Sequence, residues 1–456
     1  MALLCYNIID KSVEFYRKGD CMIDRDKYLN ELIKAKNDGF PKVITGIRRC
    51  GKSYLLKEIF SKYLKANGVS EKEIFLIELD DDKNANLRNP IELGKYVRDV
   101  TASNSMNYVI LDEIQRVYTI INPNLTNGKI ILAKESDTET ISFVDVVLGL
   151  SHEKNIDLYV TGSNSKMLSS DIVTEFRDKA TNIHMSPLSF EEYYNYIGGS
   201  KVEALYSYMQ YGGMPLAVLK EESEREKYLI SLFKTTYFKD ILDHNKLTKS
   251  ESLDELCNII SDCTGDLLNS EKIANTFKSI KHENINKQTV DKYINYFVDA
   301  FILREAKRYD LRGRNEIGAL RKYYFLDTGL RNARLNFAYT DEGKLLENVI
   351  YNELIYNGYS VNVGTFDSVE KDKNNKSIRK TNEIDFYARK GNRLYYIQVT
   401  DNINDATTKA REYRSLFMIN DQIQKIIVIN RPLSETRDEN GFTIIGAVDF
   451  MLRFIK

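Results

Sequence analysis

Cysteine and histidine, the usual raw material of disulfide frameworks and zinc sites, are scarce in this sequence. Five cysteines (Cys5, Cys21, Cys50, Cys257, Cys263) and four histidines are scattered through 456 residues with no C-x-x-C pair. That number and spacing argue against both a disulfide scaffold and a zinc finger. An excess of charge is missing too: 65 basic residues face 66 acidic ones, for a net charge of −1. The whole chain is therefore no polybasic nucleic-acid coat, and any such contact must be local. Long apolar runs are also lacking. No stretch reaches the roughly 18 apolar residues of a membrane span, and Met1-Ala2-Leu3-Leu4-Cys5 lacks the basic start and apolar core of a secretion signal. A cytoplasmic protein with no membrane partner is expected. What remains is 43% hydrophobic content, ample for separate cores in a chain whose length suggests two to four domains.

The sharpest positive signal is Gly46-Ile47-Arg48-Arg49-Cys50-Gly51-Lys52-Ser53, a complete G-x-x-x-x-G-K-[ST] loop. Pro41-Lys42-Val43-Ile44-Thr45 before it reads as a strand, and the apolar-faced segment from Tyr54 onward reads as a helix. In that setting the backbone N–H groups from Gly46 through Arg48, Arg49, Cys50, Gly51 and Tyr54 can surround phosphate. Lys52 can reach the outer phosphate oxygens and the Ser53 hydroxyl can bind Mg²⁺. ATP and Mg²⁺ are the expected cofactors. Cys50 reads as a small loop residue.

Tyr108-Val109-Ile110-Leu111-Asp112-Glu113 is an apolar run ending in two acids, as suits a buried parallel strand whose C-terminal end meets the phosphates. Asp112 is the expected Mg²⁺ partner, directly or through water. Glu113 is the expected base for the attacking water, a role worth about 10²–10⁴-fold. A third strand, Ile156-Asp157-Leu158-Tyr159-Val160, leads into Thr161-Gly162-Ser163-Asn164-Ser165. There Asn164, with Ser163 second, can contact the γ-phosphate or the water; an ordinary strand-to-helix cap is the other reading.

The order GIRRCGKS, LDEIQR, YVTGSNSKMLSSDI, MSPLSFEEYY and QYGGMP resembles the prokaryotic AAA-like P-loop ATPases that carry a poorly characterised C-terminal domain. The resemblance spans nearly the whole chain. Such proteins usually place Arg-Gly-Arg-Gly before Pro-Leu-Ser-Phe. Here the segment reads Phe176-Arg177-Asp178-Lys179-Ala180, which leaves Arg177 as the candidate arginine finger, since lysine cannot clamp a phosphate bidentately. A surface ion pair with Glu175 or Asp178 is its alternative role.

Four regions follow. Residues 20–186 alternate strand and helix as a P-loop parallel sheet, with a turn-rich insert at 122–128 that suggests a small hairpin. Residues 187–248 read as a helical lid or linker punctuated by Gly198-Gly199 and Gly212-Gly213. Residues 249–320 look like a winged helix. Ser270 is expected to cap its first helix, and the second carries Val290, Ile294 and Phe297 as a buried stripe. Phe301 to Arg308 would be a wing strand, and Arg312 and Arg314 lie in a basic wing suited to DNA phosphates, although Asp291 weakens the positive face.

Residues 335–456 are similar to the PD-(D/E)xK nuclease superfamily, a restriction-endonuclease-like α/β fold. On that resemblance, Glu347 from a helix and Asp385 from a strand (with Glu383 beside it) form a second candidate metal pair. The usual following acid and lysine are replaced by Gln398 and Thr400. A neutral amide is a poor Mg²⁺ ligand and threonine supplies no cation, so an inactive nuclease-like fold is expected. Lys409 or Arg411 could stand in for the lysine.

The combined expectation is an ATPase that couples nucleotide state to a winged-helix and nuclease-like module acting on nucleic acid, with DNA as candidate partner and oligomerisation allowed. A nucleotide-gated protein-interaction switch and an ATP-regulated metal-dependent DNA nuclease are the alternatives.

Overall fold

The computed structural model describes residues 23–101, 105–134, 136–162, 179–245, 247, 251–281, 285–338, 341–371, 377–401 and 413–456. The chain divides into a unit of residues 23–186 and a second unit to which residues 187–456 belong.

The first unit is built on a five-stranded parallel sheet. Its strands are β1 (Lys42–Thr45), β2 (Ile74–Glu78), β3 (Asn107–Asp112), β6 (Ile156–Gly162) and β7 (Thr181–His184), in the order β2-β3-β6-β1-β7. Val109 and Leu111 of β3 and Leu158 and Val160 of β6 point to one face, where Leu93 and Val97 from helix Pro90–Val100 and Val147 from helix Phe143–Ser151 complete a core. The opposite face takes helix Asp26–Ala35 and the helical run 52–66, with the Phe60 and Tyr159 rings 4.8 Å apart. Helices cover both faces, which is why β1, β3 and β6 are buried along their whole length rather than alternating. Lys42 enters that interior because Asp157 and Asp38 neutralise it. The turn-rich insert forms a small hairpin of β4 (Ile120–Ile121) and β5 (Thr140–Ile141).

The second unit begins with helices, Phe190–Ile197, Lys201–Tyr211, Pro215–Val218 and Glu222–Leu232 among them. It continues into one nine-stranded sheet. In chain order the strands are β8 (Leu267–Leu268), β9 (Leu303–Asp310), β10 (Asn315–Phe325), β11 (Ser360–Lys371), β12 (Ser377–Lys390), β13 (Arg393–Thr400), β14 (Gln424–Ile429), β15 (Thr436–Arg437) and β16 (Thr443–Gly446), and in space β15-β16-β14-β13-β12-β11-β9-β10-β8. β9 pairs in parallel with β11 through Val363↔Arg308, Gly364↔Tyr309 and Thr365↔Asp310. The strands of the 249–320 segment are thus hydrogen-bonded into the sheet of the C-terminal segment, a continuity that composition and periodicity gave no reason to expect.

Helix Lys287–Asp299 buries Val290, Ile294 and Phe297 as its spacing requires. The cap expected at Ser270 is corrected: Asn269, one residue earlier, accepts from the Glu271 and Lys272 N–H groups, and the Ser270 hydroxyl donates instead to Asp291. Among the described residues no helix is long and apolar enough to cross a membrane.

Two buried carboxylates explain the Pro-Leu-Ser-Phe and Tyr-Gly-Gly-Met-Pro segments. Asp327 accepts from the Gly213 N–H at 2.6 Å and caps helix Thr328–Arg334 through the Leu330 N–H at 3.1 Å. A Cβ on Gly212 would lie 2.1 Å from that carboxylate, so only glycine fits. Glu353 accepts from the Phe190 N–H at 2.7 Å, while its Oε2 is buried with no hydrogen-bond partner. Burial lifts Asp327 to about 6 and Glu353 to about 7, against the pull of their backbone donors.

A raised carboxyl pKa stabilises the fold below the ordinary value, and that contribution is lost as pH climbs through the raised one. For Glu353, faced by Glu191, Glu192 and Lys456, the window runs from 4.5 to about 7. The loss amounts to about 3 kcal/mol. Glu353→Gln should therefore gain melting temperature relative to wild type as pH rises through this window. Scanning calorimetry at pH 5 and pH 8 checks it; parallel curves would refute the assignment.

Candidate functional site

The loop 46–53 owes its shape to backbone that only certain residues tolerate. Gly46 has φ +147, and a Cβ there would lie 2.2 Å from the Met185 carbonyl oxygen. Gly51 has φ +101 at the start of the following helix. Arg25 holds the loop from behind, its guanidinium donating to the Cys50 carbonyl at 3.2 Å and the Ser186 carbonyl at 2.6 Å. Cys50 is buried, with its thiol toward the Met185 carbonyl at 3.5 Å. Lys52 Nζ lies across the loop, donating to the Gly46 and Ile47 carbonyls at 2.9 and 3.2 Å. Arg48 and Arg49 lie in the turn before Gly51, and Tyr54 closes the first helical residues.

Asp112 ends β3 beside this loop. Its Oδ1 accepts from the Ser53 hydroxyl at 2.9 Å and from the Thr161 hydroxyl at 2.6 Å, and its Oδ2 lies 3.2 Å from Lys57 Nζ. Lys57 also pairs with Glu78. Burial would lower the Lys57 ammonium, but Glu78 and Asp112 outweigh it and raise it above its ordinary value. A serine hydroxyl next to a carboxylate offers the hard oxygen donors Mg²⁺ prefers, and one carboxylate is typical where phosphates and waters fill the other positions.

Glu113 follows in the left-handed region, φ +56, an uncommon state for a side chain of its size. Its N–H donates to Thr161 Oγ1 at 3.0 Å, and its carboxylate accepts from the Gln115 amide. One hydroxyl, Thr161, therefore ties both acids together. Thr161, Lys57, Gln115 and Arg25 were missed in the sequence. Thr161 had a readable signal, a hydroxyl at the end of the strand next to the acids, and Lys57 lies one turn beyond Ser53. Asn164, Ser163 and Arg177 lie outside the described residues.

In the other unit, Glu347 and Asp385 come together, joined by Glu383, around a lysine that sequence reasoning did not pick out. Lys322 Nζ on β10 lies 3.0 Å from Glu347, 2.7 Å from Glu383 and 4.0 Å from Asp385. Gln398 and Thr400 lie on β13, where the intervening Val399 N–H donates to Asp385 Oδ2 at 2.8 Å. Lys409 and Arg411 are outside the described residues.

Residues 39–194 match the family described as AAA domain, and residues 202–341 match a domain of unknown function (DUF8612). An uncharacterized protein of Haemophilus influenzae is 30% identical over 438 residues, covering 95% of this chain and 99% of that protein. An uncharacterized protein of Methanocaldococcus jannaschii is 23% identical over 387 residues, covering 82% of this chain and 77% of that one. Among solved structures, the Aeropyrum pernix ORC2 protein in its ADPNP–ADP complexes overlaps with a TM-score of 0.36 and 11% identity, across 72% of this chain and 92% of that one. AMPPCP-bound DnaA of Aquifex aeolicus overlaps at 0.29 with 12% identity, across 59% and 85%. Overlaps this slight carry no argument about ligands. The parallel sheet and its loop, together with the family match, make the first unit an AAA-type P-loop domain.

Thr161→Val should remove one donor from buried Asp112 and the acceptor of the Glu113 N–H, costing about 1–3 kcal/mol of stability. Thermal denaturation of the variant measures this; an unchanged midpoint would show that the hydroxyl holds neither acid.

Proposed function

We propose that this chain, which belongs to the same family as the uncharacterized Haemophilus influenzae protein and carries an AAA domain, is an Mg²⁺-dependent ATPase acting as a nucleotide-driven switch on nucleic acid. The observation that supports it most is the approach of the Ser53 hydroxyl to Asp112 at 2.9 Å, which brings the phosphate loop and the acid-ended strand to one point. Mg²⁺ bound between them would neutralise charge on the β- and γ-phosphates. Lys52 would turn from the loop carbonyls to the phosphate oxygens. Glu113, held by Thr161 and Gln115, would orient a water and take its proton. Asn164 and Arg177 are proposed to complete the site, the first at the γ-phosphate and the second on a neighbouring copy's nucleotide.

Glu113→Gln should keep ATP affinity and lower turnover by about two to four orders of magnitude, because it removes the base and leaves the phosphate contacts intact. Lys52→Ala should weaken ATP binding itself. Nucleotide titrations beside a phosphate-release assay separate the two, and wild-type turnover in Glu113→Gln would remove Glu113 from the role of base.

For the nucleic-acid part, the 249–320 segment supports a winged-helix reading. Helix Lys287–Asp299 exposes Lys287 at its start and Gln288, Lys292 and Asn295 opposite its buried stripe, and exposed Arg312 and Arg314 lie in the turn between β9 and β10. Lysines on such a face add sequence-independent phosphate contacts. The double change Lys287→Glu, Lys292→Glu should weaken duplex DNA binding and reduce its salt dependence by about two phosphate contacts. Binding unaltered by both changes would favour the protein-interaction switch. One observation already speaks for that second reading: Arg312 donates to the Asp367 carbonyl at 2.6 Å, so this wing arginine serves the protein's own sheet.

A further inference from the structure

A metal at Glu347 and Asp385 is what the nuclease-like resemblance implies, and the residues present do not fit it. The centre of the carboxylate cluster is taken by Lys322. Its side chain is only 4% exposed, and its ammonium donates to Glu347 at 3.0 Å and to Glu383 at 2.7 Å, with Asp385 at 4.0 Å. A divalent ion needs carboxylate oxygens about 2.0–2.6 Å from its own centre, so ion and ammonium cannot share this space. Two further donors hold oxygens of the cluster. Tyr324 donates its hydroxyl to Glu347 Oε1 at 2.6 Å, and the Val399 N–H holds Asp385 Oδ2 at 2.8 Å. Burial alone would lower the Lys322 ammonium; Glu347, Asp385 and Glu383 overcome that and hold it above its ordinary value.

The elements that meet here give the contact a purpose. Lys322 and Tyr324 come from β10, Glu347 from helix Glu342–Tyr356, and Glu383 and Asp385 from β12. β10 and β12 are not neighbours in the sheet, since β9 and β11 lie between them. A side-chain cluster on the face under the helix therefore spans four strands. Residues 315–325 belong to the segment matched by the domain of unknown function, and the acids lie beyond it.

We propose that Lys322 is the resident cation of this cluster, standing where a divalent ion would stand, and that the cluster is a fixed tie between β10, β12 and helix Glu342–Tyr356 rather than a metal centre. The full-length chain without nucleotide is the right sample, because Lys322 lies outside residues 335–456 and a fragment of those residues would lose it. Mn²⁺ binding is measured by paramagnetic resonance and calorimetry on wild type, Asp385→Asn, Lys322→Met, and Lys322→Met combined with Asp385→Asn. Wild type and Asp385→Asn should bind Mn²⁺ alike. Lys322→Met should melt lower in metal-free buffer, gain one Mn²⁺ per chain, recover melting temperature with it, and lose that ion in the double variant.

Mn²⁺ bound by wild type and lost in Asp385→Asn would overturn the proposal, as would a folded Lys322→Met that gains no ion. Should Lys322→Met fail to fold, the comparison of wild type with Asp385→Asn still decides between the two. Supercoiled DNA incubated with the wild-type chain and Mn²⁺ should stay intact; nicking abolished by Asp385→Asn would count against a closed cluster.

Discussion

Asp112 is the residue on which the nucleotide unit turns. A carboxylate buried at the end of a central strand must be satisfied or neutralised, because an unpaired buried charge costs several kcal/mol. Here three side chains satisfy it: Ser53 and Lys57 from the helix behind the loop, and Thr161 from the neighbouring strand β6. The same contacts set the spacing between loop and strands. Thr161 then carries the constraint one residue further by accepting from the Glu113 N–H, which helps keep Glu113 in the left-handed conformation. The strain at Glu113 and the satisfaction of Asp112 are two ends of one hydroxyl's hydrogen bonds.

Much of this unit was legible in the sequence because its signals are local. The loop, the apolar strand ending in Asp112-Glu113, and the strand leading to Thr161 each declare themselves within a few residues. The supporting set was harder to read, for a physical reason. Arg25 precedes the loop by some twenty residues and reaches it only through the fold, and Lys57 looks like any solvent-facing lysine on an amphipathic helix until the β3 acid is placed beside it. Ser270 shows the limit at shorter range. Asn269 and Ser270 are both good caps, and which one serves is decided by Asp291 across a tertiary contact.

The second unit was less legible because its defining contacts are long-range. Val290, Ile294 and Phe297 follow from spacing alone. The parallel pairing of β9 with β11 does not, and it joins two segments that composition treats as separate. Glu347 and Asp385 were visible as acids on a helix and a strand. Lys322, which decides what they do, comes from a strand three places from β12 in the sheet, and no local pattern marks a lysine that will be buried among carboxylates.

The buried acids of this chain differ in function according to what satisfies them. Asp327 and Glu353 are held by backbone N–H groups, which cannot leave without unfolding a segment, so these two act as clasps for the Gly212-Gly213 loop and the helix beginning at Phe190. The Glu347 cluster is held by an ammonium on a rigid strand, which is nearly as permanent. Asp112 is instead held by side chains with somewhere else to go: the Ser53 hydroxyl can rotate, and Lys57 keeps Glu78 as a second partner. Release of those groups in favour of the proposed metal ion would change few other contacts. An exchangeable carboxylate at the phosphate loop and fixed carboxylates elsewhere are what a protein needs if nucleotide state is to change in one place while the rest of its fold stays as it is.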